Sequence, residues 1–186
     1  MTMVGGFAPN NVCPTDHATV LVAIMAKLQN DLEDLFGHES VLYISDQEIT
    51  VELADHLFCT VAPSDGAFPS DGVDGSGQYL VYENANFSVT VRSRIQTDQI
   101  ERSTQAYLDQ NRGLLPIKKR VLKALAGQQL YSAPNYGDQA TYDTSTGALL
   151  TAVLCPTRSQ HQSQQEEDKF SEFTVGFSCQ WNWDLE

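Results

Sequence analysis

The stretch that decides the fold is residues 170–183, FSEFTVGFSCQWNW. Every second position from residue 173 onward is apolar, and the positions between carry polar residues or glycine. The apolar members are Phe173, Val175, Phe177, Cys179, Trp181 and Trp183. Alternation with period two puts apolar side chains on one face of a strand and polar ones on the other. The pattern predicts a long, half-buried antiparallel strand.

Other segments supply partners for this strand. Phe87–Ile95 alternates in the same way, and Tyr79–Tyr82 is typical of a further short strand. Residues 40–62 alternate in part and predict two or three short strands. Leu149–Cys155 predicts a strand that leads through a polar hairpin tip, His161–Asp168, into the final strand. We therefore expect a mainly antiparallel sheet that ends in a long hairpin.

Two regions have helical periodicity. Apolar residues recur at steps of three and four after Thr15, a good N-cap residue, and this pattern predicts an amphipathic helix that ends near Gly37. A second helical region begins at Asp98 and ends at Gly127. Pro116 interrupts it at a place suited to the first turn of a new helix. We expect either two helices or one kinked helix there.

The order of helix, strands, helices and hairpin predicts an α+β fold. We assign residues 15–186 to a single domain, because no shift in composition divides them. Residues 1–14 have no periodicity and are expected to form an N-terminal arm. The segment 63–77, PSDGAFPSDGVDGSG, is rich in turn-forming residues and is expected to be a long exposed loop.

Net charge limits the function. The 186 residues contain 11 Lys and Arg against 24 Asp and Glu, which gives a net charge of −13. A surface this acidic argues against affinity for free nucleic acid, since phosphate binding depends on basic side chains. The start of the chain has no basic leader followed by an apolar run, and Ala18–Leu28 is too short to span a bilayer. We expect no membrane partner and a protein made in a cytoplasm.

Catalytic patterns are absent from the sequence. There is no Gly-x-Ser-x-Gly elbow and no phosphate-binding glycine motif. The candidate nucleophiles are Cys59 and Cys155, each paired with one of the histidines His17, His38, His56 and His161. Ordinary packing of the thiols is the favoured interpretation. We expect no enzymatic activity and no cofactor.

Two further features have both a functional and a structural interpretation. Asp65, Asp71 and Asp74 offer oxygen ligands for calcium, but the spacing of a calcium-binding loop is absent, so a solvated turn is favoured and no metal is expected. Trp181 and Trp183 share a strand face and form either a stacking platform or, as we favour, part of a packed core or subunit contact.

The basic residues are concentrated in one segment. Eight of the 11 lie between Arg92 and Lys123, together with only three acidic residues. A basic helix face on an acidic molecule suits a head-to-tail oligomer, in which each basic face meets the acidic face of a neighbour. A solvated helix face and a site for a phosphate-bearing partner are the alternatives. The candidate interface residues are Arg112, Lys118, Lys119, Arg120 and Lys123.

The arrangement resembles tail-terminator and related neck proteins of tailed bacteriophages. The resemblance rests on four segments, which are VRSRIQTD at 91–98, GLLP at 113–116, VLKALAG at 121–127 and the closing strand at 173–185. It implies a virion protein, assembled in the host cytoplasm, that forms a hexameric ring at the top of the tail. The ring would stop growth of the tail tube and contact the tube protein below and head-completion proteins above. Genomic DNA would pass through an acidic channel without specific binding.

Three other interpretations remain open at this point. The chain could occupy another structural position in the same particle, in the neck or in the tail tube. It could also belong to a different class, either a small cytoplasmic cysteine-dependent enzyme or a monomeric module that presents its aspartate-rich loop to calcium.

Overall fold

The computed structural model describes residues 16–36, 42–44, 57–67, 81–94, 108, 113–131, 149–164 and 170–183. The helices are α1 (His17–Asp31), α2 (Glu33–Phe36) and α3 (Leu114–Leu125). The strands are β1 (Leu42–Ile44), β2 (Leu57–Ala67), β3 (Val81–Arg94), β4 (Gln129–Tyr131), β5 (Leu149–Val153), β6 (Cys155–Gln164) and β7 (Phe170–Trp183). The predicted arm, residues 1–14, lies outside the described residues.

The main sheet has five strands in the order β1-β2-β3-β7-β6. Strand β1 runs parallel to β2. The pairs β2–β3, β3–β7 and β7–β6 are antiparallel. Strands β4 and β5 form a separate antiparallel pair. The predicted α+β fold with a mainly antiparallel sheet is confirmed.

Strand β7 is the predicted final strand, and its bounds match the alternating segment. It pairs with β3 along its full length, from Phe170 opposite Arg94 to Trp183 opposite Val81. Its apolar positions Phe173, Val175 and Phe177 are buried on the inner face of the sheet. The alternation predicts this strand well because a half-buried strand must separate its apolar and polar side chains.

Strand β3 corrects one expectation. The sequence predicts separate strands at Tyr79–Tyr82 and Phe87–Ile95, but Val81–Arg94 is one continuous strand. The polar stretch between them obeys the same alternation, because Ala85 is buried on the inner face while Asn84 and Asn86 lie on the outer face. The low hydrophobicity of that stretch conceals the strand.

Helix α1 begins one residue later than predicted. Asp16 is the N-cap, and its carboxylate accepts a hydrogen bond from the Thr19 backbone N–H at 2.7 Å. This contact holds the pKa of Asp16 below its ordinary value. The helix ends at Asp31, and Leu32 separates it from the short α2. The predicted single helix ending near Gly37 is therefore two helices, α1 and α2.

Helix α3 follows its prediction closely. Pro116 lies in the first turn, where its missing N–H removes no helical hydrogen bond. Gly127 follows the helix with a positive φ of 69°, a conformation that suits glycine, and its N–H donates to the Leu154 carbonyl at 2.7 Å. The region from Asp98 to the start of α3 lies outside the described residues except for Leu108 and Gly113.

The core lies between the inner face of the main sheet and helices α1 and α3. Its largest fully buried side chains come from every layer: Phe36, Phe87, Phe173, Phe177, Ile24, Met25, Leu28, Leu114, Ile117, Leu125 and Leu130. Helix α1 is buried on most of its circumference, because Ala26 packs beside Val22 and Tyr131 in a second, smaller cluster. The face of α3 that points away from the core stays at the surface.

The prediction of a loop at residues 63–77 is wrong for residues 63–67. Strand β2 continues through Pro63 to Ala67 and pairs with β3, with a register shift between Ser64 and Ala67. Pro63 lies beyond residues 59–61, with which β1 pairs, so no described strand adjoins β2 on that side at this position. Sheets tolerate proline at such edge positions. Residues 68–77 lie outside the described residues.

The prediction of a hairpin tip at His161–Asp168 is also wrong for residues 161–164. Strand β6 extends to Gln164 and stays paired with β7 throughout. The sequence of β6 does not indicate a strand. The side chains from Cys155 to Gln162 are all exposed, so the strand needs no alternation of apolar and polar residues. The register shift between Pro156 and Arg158 makes a β-bulge at Thr157.

Candidate subunit interface

The basic residues of α3 lie on its solvent side. The apolar side chains Leu114, Ile117, Val121, Ala124 and Leu125 are buried against the sheet and α1. The helical repeat of 3.6 residues therefore turns Lys119 and Lys123 outward, with Lys118 and Arg120 on the two flanks. The fifth predicted interface residue, Arg112, lies outside the described residues.

Arg120 contacts α2 within the same chain. Its Nη1 donates to Oδ2 of Asp34 at 2.9 Å and its Nη2 donates to Oδ1 at 2.5 Å. The two side chains form a bidentate guanidinium–carboxylate pair. This hydrogen bonding raises the pKa of Arg120 and holds the pKa of Asp34 below its ordinary range. Arg120 therefore joins α3 to α2 and is not a free cation.

Lys118 contacts strand β6. Its Nζ donates to the Ser159 hydroxyl at 2.7 Å and lies 3.1 Å from Nε2 of His161, which accepts in its neutral form. The partial burial of the His161 ring and, after it, the positive charge of Lys118 lower the pKa of His161. His161 also packs on Phe173 with a ring separation of 6.2 Å. Lys118 therefore ties α3 to the sheet edge.

Lys119 and Lys123 form an exposed stripe with Leu115, to which we refer as the α3 stripe. The three residues follow each other at four-residue spacing and so share one face of the helix. Leu115 is 43% exposed, although the other leucines of this helix are buried or half-buried. Within the part of the chain that the structure describes, the two ammonium groups have no ion-pair partner.

Arg92, the first residue of the basic segment, is also engaged. It lies on the outer face of the sheet, where its Nη2 is 2.7 Å from Oε2 of Glu172 and its guanidinium lies over the Phe58 ring at 5.7 Å. The three residues are direct cross-strand neighbours on β2, β3 and β7. Only 17% of the Arg92 side chain and 10% of the Glu172 side chain are exposed, so the pair belongs to the folded framework.

Within the described residues, the candidate nucleophiles Cys59 and Cys155 form no hydrogen bond with a histidine. Cys59 is fully buried, and burial raises the pKa of its thiol, which is the opposite of an activated thiolate. Cys155 is exposed at the start of β6, and Cys179 is buried. His161 is on the same strand as Cys155 but contacts Lys118 and Phe173.

Of the other candidate histidines, His17 lies within the described residues. His17 begins α1 and packs on Phe87, with a ring separation of 5.8 Å. His38 and His56 lie outside the described residues.

The calcium interpretation also receives no support from the described residues. Asp65 lies on the exposed end of β2, where its carbonyl accepts a hydrogen bond from the Asn86 side chain, and Asp71 and Asp74 fall outside the described ranges. In those ranges no cluster of three or more His, Cys, Asp or Glu side chains is arranged to hold a metal. No described helix has the length and apolar character needed to span a membrane.

The tryptophans have a defined place on the backbone. Trp181 is opposite Glu83 and Trp183 is opposite Val81, at the end of the β3–β7 ladder. What their side chains contact lies outside the described part of the structure.

The sequence predicts α3 but not the partners of its cations. Asp34 is 86 residues from Arg120, and Ser159 is 41 residues from Lys118. Polar residues at such separations carry no local pattern that points to each other. The division of the basic residues into engaged and exposed groups therefore depends on the tertiary structure.

Comparison with known proteins gives a similarity to solved structures but none to a family model or a curated protein. A solved structure described as "Virion of native gene transfer agent (GTA) particle" contains a chain that aligns at 15% identity and a TM-score of 0.48. The alignment covers 90% of this chain and 99% of that one. A similarity at this level carries no functional assignment.

Proposed function

We propose that the protein is a structural component of a tailed-phage virion that forms a ring, expected to be hexameric, at the top of the tail. In this role it ends the tail tube and contacts the tube protein and the head-completion proteins. The resemblance of residues 91–98, 113–116, 121–127 and 173–185 to tail-terminator and neck proteins supports the proposal, as does the α+β fold.

The observation that carries the proposal is the α3 stripe. Lys119 and Lys123 are exposed cations beside an exposed leucine on a chain with a net charge of −13. Burial of Leu115 against a neighbour would remove apolar surface from water, and the two lysines would meet acidic side chains there. Exposed acids of the described residues include Glu33 on α2 and Asp65 on β2. Such a contact uses two different surfaces, as a closed ring requires.

Net acidity supports the channel. A like-charged lumen lets DNA slide without adhesion, because no basic side chains neutralise the phosphates there and no counterions are released into the solvent to drive binding. The exposed cations Lys119 and Lys123 would then lie between subunits, away from the DNA path.

The experiment is the absolute mass of the purified protein by light scattering over a range of salt concentrations, followed by negative-stain imaging. We expect a ring of about six subunits that weakens as salt screens the charged contact. The variant Lys119→Gln/Lys123→Gln should lose the ring and keep the fold. These positions are preferable to Lys118 and Arg120, whose contacts with Ser159, His161 and Asp34 are within the chain.

A matched control separates the stripe from net charge. Ala18→Glu/Gln180→Glu lowers the net charge by the same amount at exposed positions of α1 and β7, and it should leave the ring intact. An unchanged mass in Lys119→Gln/Lys123→Gln would contradict the assigned interface. Long cylinders in the images would instead indicate a tail-tube protein, and a monomer that never binds purified tails would contradict the virion role.

A further inference from the structure

Strand β6 forms one edge of the main sheet, and among the described strands only β7 pairs with it. It pairs with β7 on one side and has no neighbour on the other side in the described sheet. Its side chains from Cys155 to Gln162 are all exposed, so no described part of the chain covers this edge. A free edge presents a row of backbone N–H and C=O groups that can pair with another strand.

The two halves of β6 differ in how they protect this edge. The first half contains Pro156, the bulge at Thr157 and the charged Arg158, which are common devices against edge-to-edge pairing. The second half, 159–164, reads SQHQSQ and has no proline, no bulge and no permanently charged residue. Regular pairing with β7 keeps this half extended.

The opposite edge of the sheet is a poor partner for it. Strand β1 covers only Leu42–Ile44, and beyond it the free side of β2 includes Pro63. A contact between β6 of one copy and the β1 edge of another would therefore be short. The sequence of β6 offers a better partner, because SQHQS at residues 159–163 reads the same in both directions.

We propose that the second half of β6 is a self-recognition edge, which pairs antiparallel with β6 of a second copy about a two-fold axis at His161. Ser159 is then opposite Ser163 of the second copy, and Gln160 is opposite Gln162. With His161 neutral, no residue of 159–163 carries a charge, although each chain has a net charge of −13. The Lys118 ammonium, which lies against Ser159 and His161, is opposite in sign to the net charge of the second copy. A strand segment without acidic residues is a place where two such acidic chains can meet with little repulsion.

The contact is independent of the proposed ring. A two-fold contact closes after two copies, so it cannot by itself build a ring. It can join two rings face to face, or two free subunits before they enter a particle. The α3 stripe remains available, because Lys119 and Lys123 are on the outer side of α3, whereas Lys118 reaches Ser159 and His161.

Charge placement at Gln160 and Gln162 tests the register directly. Both side chains are exposed, and they alternate with Ser159 and His161, so changing them leaves the contact with Lys118 intact. In Gln160→Lys/Gln162→Lys, the lysine placed at 160 faces the lysine placed at 162 of the second copy. In Gln160→Glu/Gln162→Lys, a glutamate faces a lysine instead. Within the chain Gln162 is opposite Glu172, so a lysine there is acceptable in both variants.

The measurement is the light-scattering mass against protein concentration at pH 8, where His161 is neutral, together with hydrogen exchange at residues 159–163. We expect the wild type and Gln160→Glu/Gln162→Lys to double their mass and to protect amides of this segment as concentration rises. Gln160→Lys/Gln162→Lys should associate at least about tenfold more weakly. The single variant Gln160→Lys places its lysine opposite a neutral glutamine and should retain association, which shows that lysine is tolerated there.

Equal association of the two double variants would overturn the proposal, and so would a wild type whose amides at 159–163 gain no protection with concentration. Combination with Lys119→Gln/Lys123→Gln separates the two interfaces. In that background the ring should be lost and pairing at β6 kept, whereas wild-type rings without pairing at β6 would overturn only the self-recognition edge. Circular dichroism and thermal unfolding confirm that each variant is folded.

Discussion

Arg120 on α3 binds Asp34 on α2 through both terminal nitrogens of its guanidinium, at 2.9 and 2.5 Å. The two residues lie at the surface, with 34% and 63% of their side chains exposed. The pair connects the short helix that follows α1 to the helix that carries the α3 stripe. It therefore fixes the surroundings of the proposed interface from within the chain.

Replacing Asp34 by Asn should lower stability only modestly, by less than about 1 kcal/mol at neutral pH, because the pair is exposed to water. The hydrogen bonds from Arg120 hold the pKa of Asp34 below its ordinary value of 3.8. A carboxyl with a lowered folded-state pKa adds stability above its unfolded-state pKa and loses it as the pH falls through the folded-state value. The difference between wild type and Asp34→Asn should therefore vanish in acid below that range.

Urea unfolding at pH 7 and at acid pH measures this difference. Glu33→Gln is the control, since Glu33 is the exposed neighbour of Asp34 and no ion pair in the described structure includes it. A difference between wild type and Asp34→Asn that stays constant over the whole acid range would contradict the assigned pair.

Gly176 should not tolerate a side chain. A Cβ at this position would lie 2.9 Å from Cγ of Arg158 and 3.0 Å from Oγ1 of Thr157, at the β-bulge of β6. We expect Gly176→Ala to destabilise the protein by about 1 to 2 kcal/mol, because the side chains of Arg158 and Thr157 must shift to relieve the contact. Chemical denaturation of Gly176→Ala and of Ser178→Ala, a half-buried position on the same face, gives the comparison.

A second change tests the cause. Arg158→Ala removes the closest atom, so the cost of Gly176→Ala should be smaller in that background. Additive effects of the two substitutions would show that Arg158 at the bulge is not what excludes a side chain at this position.

The sequence predicts the elements that separate apolar from polar side chains, and it misses those that do not. Strand β7 and helix α3 are predictable because one side of each is buried and the other is not. Strand β6 resembles a hairpin tip in part, because an edge strand with exposed side chains needs no apolar positions. Pro63 suggests from the sequence that β2 ends there, but the strand continues. Which residues of β2 pair with β1 is set by the tertiary structure and cannot be seen in the sequence. The internal partners of Lys118 and Arg120 come from distant parts of the chain and leave no local pattern.

The three cysteines within the described residues should differ sharply in reactivity. Cys155 is exposed, whereas Cys59 and Cys179 are buried and burial raises the pKa of the Cys59 thiol. We expect alkylation of the native protein at neutral pH to modify Cys155 and to spare the two buried thiols until the protein unfolds. Peptide mapping by mass spectrometry identifies each site. Rapid modification of native Cys59 would favour the cysteine-dependent enzyme over the structural role.

Substitutions of Arg92 and Glu172 should have non-additive effects on the free energy of unfolding, because the two residues form an ion pair. Arg92→Met leaves a largely buried carboxylate beside Phe58 without its guanidinium, and we expect a loss of about 2 to 4 kcal/mol. Glu172→Gln keeps a hydrogen-bond acceptor and removes the charge, so it should cost less. The double variant Arg92→Met/Glu172→Gln should cost less than the sum of the two. Urea unfolding of the four proteins completes the cycle, and strictly additive losses would mean that the pair is not coupled.

His161 should make stability depend on pH near neutrality. Burial and the charge of Lys118 lower the pKa of His161 below its ordinary value of 6.5, and only the neutral ring accepts the hydrogen bond from Lys118. In this range the unfolded chain binds the proton more readily than the folded chain. Stability is therefore greatest above pH 6.5 and falls as the pH drops toward the folded-state pKa.

Two variants separate the two causes of this pH dependence, measured as thermal unfolding between pH 8 and pH 5. His161→Gln cannot take up the proton and should flatten this part of the profile. Lys118→Gln removes the neighbouring charge but keeps the ring, so it should reduce the slope without abolishing it, because burial is the larger cause of the lowered pKa. Parallel profiles for wild type and His161→Gln would show that the contact between α3 and β6 does not depend on the protonation of His161.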